Sequence, residues 1–397
     1  MTGSSRDLTL LMLFRVARSI AAGMISLAFP YLILRSLRYP AVVLGVVYTA
    51  GAIATAVLGL VFGILADSWG RKQALIAAGA LLPASCLLVY LSGALPVIFA
   101  AAMLGGFSAT GSLMGGGVGG AAQPIQSALI ADLTTPAKRT SYFSIFTFAS
   151  GLFAALGALA SRPLEVREVF LAACLVSGAG ALLLIPMRNT RPTGRAQRLP
   201  SKAVIGKFTI TGALNGFAQG LVTPFLIPFF ILVYDVPKSR MSTYGFVSGA
   251  AGAFALLAAP FLERRWGFVK SIAITRGIGA LLLAIMPLSP VLAVALAVYF
   301  VTPALRVAAL PVQQTAVTEL VSGGEVGRAL GINQVARLAA SSGAMTLTGY
   351  LFHIHNIALP FYLYAGIMIG NVFLYVRFFG EKPGTSGQRP AENHGEG

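Results

Sequence analysis

Five arginines stand inside long apolar stretches of this sequence: Arg15, Arg18, Arg276, Arg306 and Arg337. An ionisable side chain in such surroundings is costly and marks a functional site by default. Arg15 and Arg18 are three apart, which puts both on one face of a helix. A long cation near a helix end snorkels to the polar boundary. At about 1.5 Å per residue, Arg15 and Arg276 are within that reach, while Arg18 and Arg306 lie deeper. Carboxylates are missing from these depths. Asp7, Asp67, Asp132, Glu263 and Glu319 fall at one set of run ends, and Glu165, Glu168 and Asp235 fall in connections at the other. Deep guanidinium groups without acids offer a cationic site for an anionic or carboxylate-bearing small molecule. The competing reading is structural bonding to carbonyl groups. Neutral polar candidates for the same site are Asn215 and Gln219, four apart, and Gln126 and Gln313, each two residues after a proline. Each of these either meets a solute or bonds between helices.

The elements that carry these residues follow from composition. Of 397 residues, 56% are hydrophobic and 10% charged, against about 25% charged in soluble domains. Such a chain has too little polar surface for water and is solvated by a lipid bilayer. Crossing the hydrocarbon takes about 20 apolar residues as a helix. Apolar runs of that kind occupy 8–34, 41–65, 72–94, 97–131, 141–161 and 166–187, then 208–233, 241–262, 270–288, 291–318, 330–352 and 357–376. This pattern predicts an all-α integral membrane protein of twelve helices. Residues 1–187 form one six-helix half and 208–378 the other. A basic linker, 188–207, joins them, and 379–397 make a disordered tail. Strand-type alternation, the mark of a barrel, is absent. In the fourth run, Gly115-Gly116-Gly117-Val118-Gly119-Gly120 predicts a bend or an unwound stretch, or else close helix packing.

The charge of +17 follows topology. With both termini cytoplasmic, 18 of the 29 Lys and Arg fall in inner segments, six in outer loops and five inside runs. That excess fits the rule that positive charge stays inside and places the protein in the cell membrane. No basic helix face or stacking platform accompanies the charge, so nucleic acid is not expected as a partner. Cys86 and Cys174 read as small core residues, and no metal-ligand spacing or cofactor motif occurs. His353, His355 and His394 lie far from any thiol or carboxylate cluster, so no reacting constellation points to an enzyme.

Three landmarks recur in the two halves. Phe29-Pro30-Tyr31-Leu32-Ile33-Leu34 returns as Ile227-Pro228-Phe229-Phe230-Ile231-Leu232, 198 residues later. Leu65-Ala66-Asp67-Ser68-Trp69-Gly70 returns as Leu262-Glu263-Arg264-Arg265-Trp266-Gly267 after 197 residues, and these hold both tryptophans of the chain. Pro124, Gln126, Asp132 and Arg139 return as Pro311, Gln313, Glu319 and Arg328, at an offset of 187 for the first three. Parallel repeats related by an axis along the membrane normal place substrate at their interface near the midplane.

The stretch Gly63-Ile64-Leu65-Ala66-Asp67-Ser68-Trp69-Gly70-Arg71-Lys72 resembles the loop signature of the major facilitator superfamily, with Ser68 where that family usually has arginine. The resemblance implies a rocking carrier that alternates access, moves a small-molecule substrate and works as a monomer. It implies that Gly63 allows close helix approach and Gly70 a tight turn. Asp67, Arg71, Lys72 and Asp132 would form a conformational latch against the eleventh helix, with Glu263, Arg264, Gly267, Glu319 and Arg328 as counterparts in the second half. Two signals of drug–proton antiporters are missing: Gly105-Gly106-Phe107 stands where an arginine is common, and the stretch from Gly151 to Gly157 lacks the G-P-x-x-G-G pattern. An efflux carrier for lipophilic compounds and a carrier-like receptor that moves nothing are the alternatives to a solute transporter.

Overall fold

The computed structural model describes residues 3–104, 122–188, 202–320 and 326–379. Those residues are helical, with no strand among them. The first half holds α1 (Gly3–Tyr31), α2 (Ala41–Trp69), α3 (Arg71–Leu91), α4 (Leu95–Met103), α5 (Gln123–Leu133), α6 (Pro136–Ala160) and α7 (Val166–Leu182). The second holds α8 (Lys202–Val222), α9 (Leu226–Val233), α10 (Lys238–Ala255), α11 (Ala259–Ile285), α12 (Leu292–Leu320), α13 (Val326–His353) and α14 (Leu359–Phe379). Eight helices among the described residues are long and apolar enough to cross a membrane.

The helices fall on the expected apolar runs, with differences that have local causes. α8 begins at Lys202, so the end of the expected linker is helical; lysine is a good helix former. The fourth run appears as α4 and α5, and the glycine-rich stretch between them lies outside the described residues. The tail from 380 and the linker segment 189–201 also lie outside them. Pro30 sits inside α1 and is followed by a π turn, Leu32–Ser36, as expected where proline removes a ladder bond. Pro224 sits in a 3₁₀ turn, Thr223–Phe225, that separates α8 from α9.

Packing repeats between the halves. In the first, α1 packs on α6 and α7, and α3 on α7. In the second, α8 packs on α13 and α14, and α11 on α14. The halves meet through α2 against α13 and, reciprocally, α10 against α6. Gly70 (φ 101°) and Gly267 (φ 69°) both adopt left-handed backbone, a conformation glycine takes without a Cβ penalty. The connections after the first span of each half match as well. Arg38 (φ 56°) and Asp235 (φ 49°) are both left-handed. Tyr39 N donates to Ile33 O at 2.9 Å and Val236 N to Phe230 O at 3.2 Å, the same six-residue closure.

The termini of the described helical body and the boundaries of the linker share one end of the bundle, the linker end; the 37–40 and 234–237 connections lie at the far end. The larger apolar core contains residues of both halves, among them Leu27, Phe29, Tyr48, Phe225 and Phe230. Among the described side chains, a second core holds Leu11, Phe14, Leu75, Leu129 and Phe146 of the first half.

Candidate functional site

Between these two cores runs a polar layer. On α1 the second core ends at Phe14 and the first begins at Ala21, and Arg15, Arg18 and Ser19 occupy the gap, all buried. Arg15 Nη1 donates to Gln126 Oε1 at 2.9 Å, and its Nε donates to Ser150 Oγ. Gln126 lies on α5 and Ser150 on α6, so three helices converge on one guanidinium. Snorkelling is therefore the wrong account of Arg15: its side chain turns inward, because buried hydroxyl and amide acceptors are nearer than the membrane surface. Arg18 is buried beside it, within electrostatic reach of Arg15 and of Cys86 on α3.

The second half builds a comparable group. Arg306 is 14 residues from each end of α12, about 21 Å along the axis, and snorkelling does not cover that distance. Its Nη1 donates to Gln219 Oε1 at 2.7 Å and to Thr223 Oγ1 at 2.6 Å. Thr223 Oγ1 donates in turn to Gln219 Oε1 at 2.8 Å. The break before Pro224 presents Thr223 here. Arg337 of α13 and Tyr364 of α14 lie within electrostatic reach of Arg306. Asn215, one turn before Gln219, is buried and joins none of these bonds.

Arg276 also departs from the snorkelling expectation. It is buried, its Nη1 donates to Asn371 Oδ1 at 2.8 Å, and it lies 5.4 Å over the Tyr375 ring. Asn371 Nδ2 donates to Thr211 O at 2.7 Å, so Arg276 ties α11, α14 and α8 together. Asn333 Nδ2 donates to Phe208 O.

At the linker end, Gly70 alone separates α2 from α3. Arg71 pairs with Asp132 and donates to Ala128 O at 2.9 Å, so it bridges the start of α3 to the end of α5. A Cβ added at Gly63 meets nothing within 4 Å. Among the described residues, no close helix approach is made at Gly63, where the resemblance implies one. Lys72 is half-buried and Arg264 exposed. The side chains of Asp67, Glu263, Glu319, Arg328 and Gln313 lie outside the described residues.

Sequence reasoning passed over Ser150, Thr223 and Asn371, the partners of three deep arginines. Thr223-Pro224 inside a span was the one readable signal, since it marks a helix break. The pairing of Arg35 with Asp235 was also missed, although both residues border matching connections. Among the described residues, no group of three or more His, Cys, Asp and Glu side chains is placed to hold a metal ion.

A family model described as Major Facilitator Superfamily matches residues 11–307. No curated protein matches the sequence. Solved structures share the fold at low identity. The human organic anion transporter MFSD10 (TETRAN) is 12% identical, with a TM-score of 0.68 over 94% of this chain and 100% of that one. The nucleoside transporter NupG, solved as a point mutant, is 14% identical, with a TM-score of 0.72 over 94% and 99%. A D-xylose-proton symporter is 16% identical, with a TM-score of 0.72 over 94% and 97%. With the family model spanning most of its length and transporter folds matching nearly all of it, the chain belongs to the major facilitator superfamily.

Proposed function

We propose that this protein carries a small organic anion across the membrane by alternating access, the two halves rocking about a site between them. The fold supports transport without choosing a solute, since similar structures are named for sugar, nucleoside and organic anion transport. The choice rests on one observation: Arg15 and Arg18 in the first half and Arg306 in the second stand well inside their helices, while the ion pairs among the described residues sit at the two ends. A site that concentrates cations favours a negative solute and repels a positive one. The linker end faces the cytoplasm on this reading, as its excess of Lys and Arg suggests. Arg71 and Asp132, with Asp67, Gly70 and Lys72 of the same loop, are its latch.

The test uses the purified full-length protein and thermal unfolding in the presence of benzoate, succinate or tetraphenylphosphonium. A ligand of the native state at 100 times its Kd stabilises it by about 2.7 kcal/mol. The anions are expected to raise the melting temperature and the cation is not, with the anion effect lost in Arg18→Ala and Arg306→Ala. Stabilisation by tetraphenylphosphonium alone overturns the reading and returns lipophilic efflux to first place.

A further inference from the structure

The two halves hold a deep arginine by the same chemistry. Arg15 is met by Gln126 Oε1 and Ser150 Oγ, and Arg306 by Gln219 Oε1 and Thr223 Oγ1. Each group is an arginine, a glutamine oxygen and a hydroxyl. The positions are not repeat equivalents, because Arg15 lies on the first helix of its half and Arg306 on the fifth described helix of the other. The likeness is one of chemistry rather than of duplicated sites.

Guanidinium only donates, so the glutamine atom that faces it must be the oxygen. The amide nitrogen is then left to find another acceptor. At Gln126, which is fully buried, Nε2 has no hydrogen-bond partner. A buried donor without an acceptor costs about 1–3 kcal/mol, and an oxyanion supplies the missing acceptor while neutralising the neighbouring cation. At Arg306 and Gln219 both side chains are half-buried, so that group keeps surface for a ligand.

We propose that these are two anion subsites of one ligand, so that the substrate is a small dianion with one anionic group held by Arg15 and Gln126 and the other by Arg306 and Gln219. The inference rests on the anion-carrier reading and narrows it. A monoanion engages one half only. A dianion touches both halves at once, so its affinity depends on how the halves stand to each other. Differential affinity of that kind is what lets a ligand shift a conformational equilibrium.

The experiment titrates the purified full-length protein with unbranched α,ω-dicarboxylates from malonate to suberate, each beside the monocarboxylate of equal length. Phosphono-carboxylates of the same lengths tell a tetrahedral group from a planar one, and a preference for either over the monoanion supports two subsites. One chain length is expected to bind best, tighter than its monocarboxylate by about 10- to 100-fold, the worth of one charge-assisted contact. Arg15→Gln and Arg306→Gln are each expected to bring the dicarboxylate down to the affinity of the monocarboxylate. Equal binding of mono- and dianions by the unaltered protein overturns the two-subsite proposal and leaves the anion carrier standing. Binding of neither overturns the anion reading itself. The unaltered protein decides between these outcomes even where a variant fails to fold.

Discussion

At the far end, Arg35 reaches from the first half to Asp235 of the second and donates to Ile231 O at 2.9 Å. At the linker end, Arg71 reaches Asp132 of its own half. The remaining described bonds between halves follow the first pattern. Tyr31 Oη donates to Val236 O at 2.6 Å, Thr49 Oγ1 to Ser342 O at 2.6 Å, and Lys238 Nζ to Ser161 O, while the hydroxyls of Thr49 and Thr346 bond at 2.8 Å and those of Ser161 and Ser242 at 3.2 Å. The far-end seam is built from small residues, hydroxyls and the half-buried Lys238, with its ion pair at the exposed rim. Close packing loses its dispersion energy over a fraction of an ångström, whereas exposed ion pairs contribute little. Packing, then, sets how firmly the far end is shut, and charge only trims it.

The sharpest way to break that account is to add one methyl-bearing side chain to the seam. A Cβ at Gly349 stands 2.8 Å from Gly45 Cα and 2.9 Å from Ala41 O, against backbone that cannot swing aside. Overpacking of this kind costs about 1–3 kcal/mol. Gly349→Val is expected to shift the protein toward a far-end-open state by about 5- to 150-fold. Spin labels at Arg162→Cys and Ser239→Cys, with Cys86 and Cys174 replaced by alanine, read the spacing of the halves. Gly63→Ala, which meets open space, serves as the control and leaves the distribution unchanged. An unchanged distribution in Gly349→Val removes packing as the determinant of closure.

Much of this layout is legible in the sequence. The repeated Trp69-Gly70 and Trp266-Gly267 pairs were visible as letters, and the left-handed φ at both glycines is what those letters are for. The depth of Arg306 follows from counting residues, because a helix has a fixed rise. The partners were not legible. Ser150 and Thr223 are single hydroxyls in apolar runs, and whether they face an arginine depends on helix rotation, which no short pattern records. The connections at Arg38 and Asp235 share a backbone conformation and a proline two residues on, yet differ in charge, so a comparison of residue types passes over them. Gly63 misled for a related reason: a close approach belongs to one conformational state, and the sequence carries no mark of which state is observed.

The linker-end pair gives a smaller effect of opposite sign. Arg71 and Asp132 are 14% and 37% exposed, so water screens the pair only in part. Asp132→Asn is expected to cost about 1 kcal/mol. If the pair holds the 68–72 loop ready to close the linker end, weakening it leaves the protein longer in the far-end-closed state. The same spin labels then report a gain of about fivefold in the short-distance population. Exchanging the charges, Arg71→Asp with Asp132→Arg, is expected to reverse that gain. A lowered melting temperature with no change in distance makes the pair a strut within one half and removes it from the latch.

The far-end pair gives the smallest effect, because Arg35 and Asp235 are 49% and 83% exposed. An ion pair that open to water contributes a few tenths of a kcal/mol and is screened by salt. Asp235→Asn is expected to open the far end by less than about twofold, in the direction of Gly349→Val. Raising ionic strength to about 1 M, where the Debye length falls to about 3 Å, reproduces that shift in the unaltered protein and adds nothing in the variant. Arg35 keeps its bond to Ile231 O when the carboxylate is gone, and so some of the crossing survives the substitution. A shift as large as that of Gly349→Val reverses the ranking: the far end is then held by charge, and the glycine seam only permits the approach.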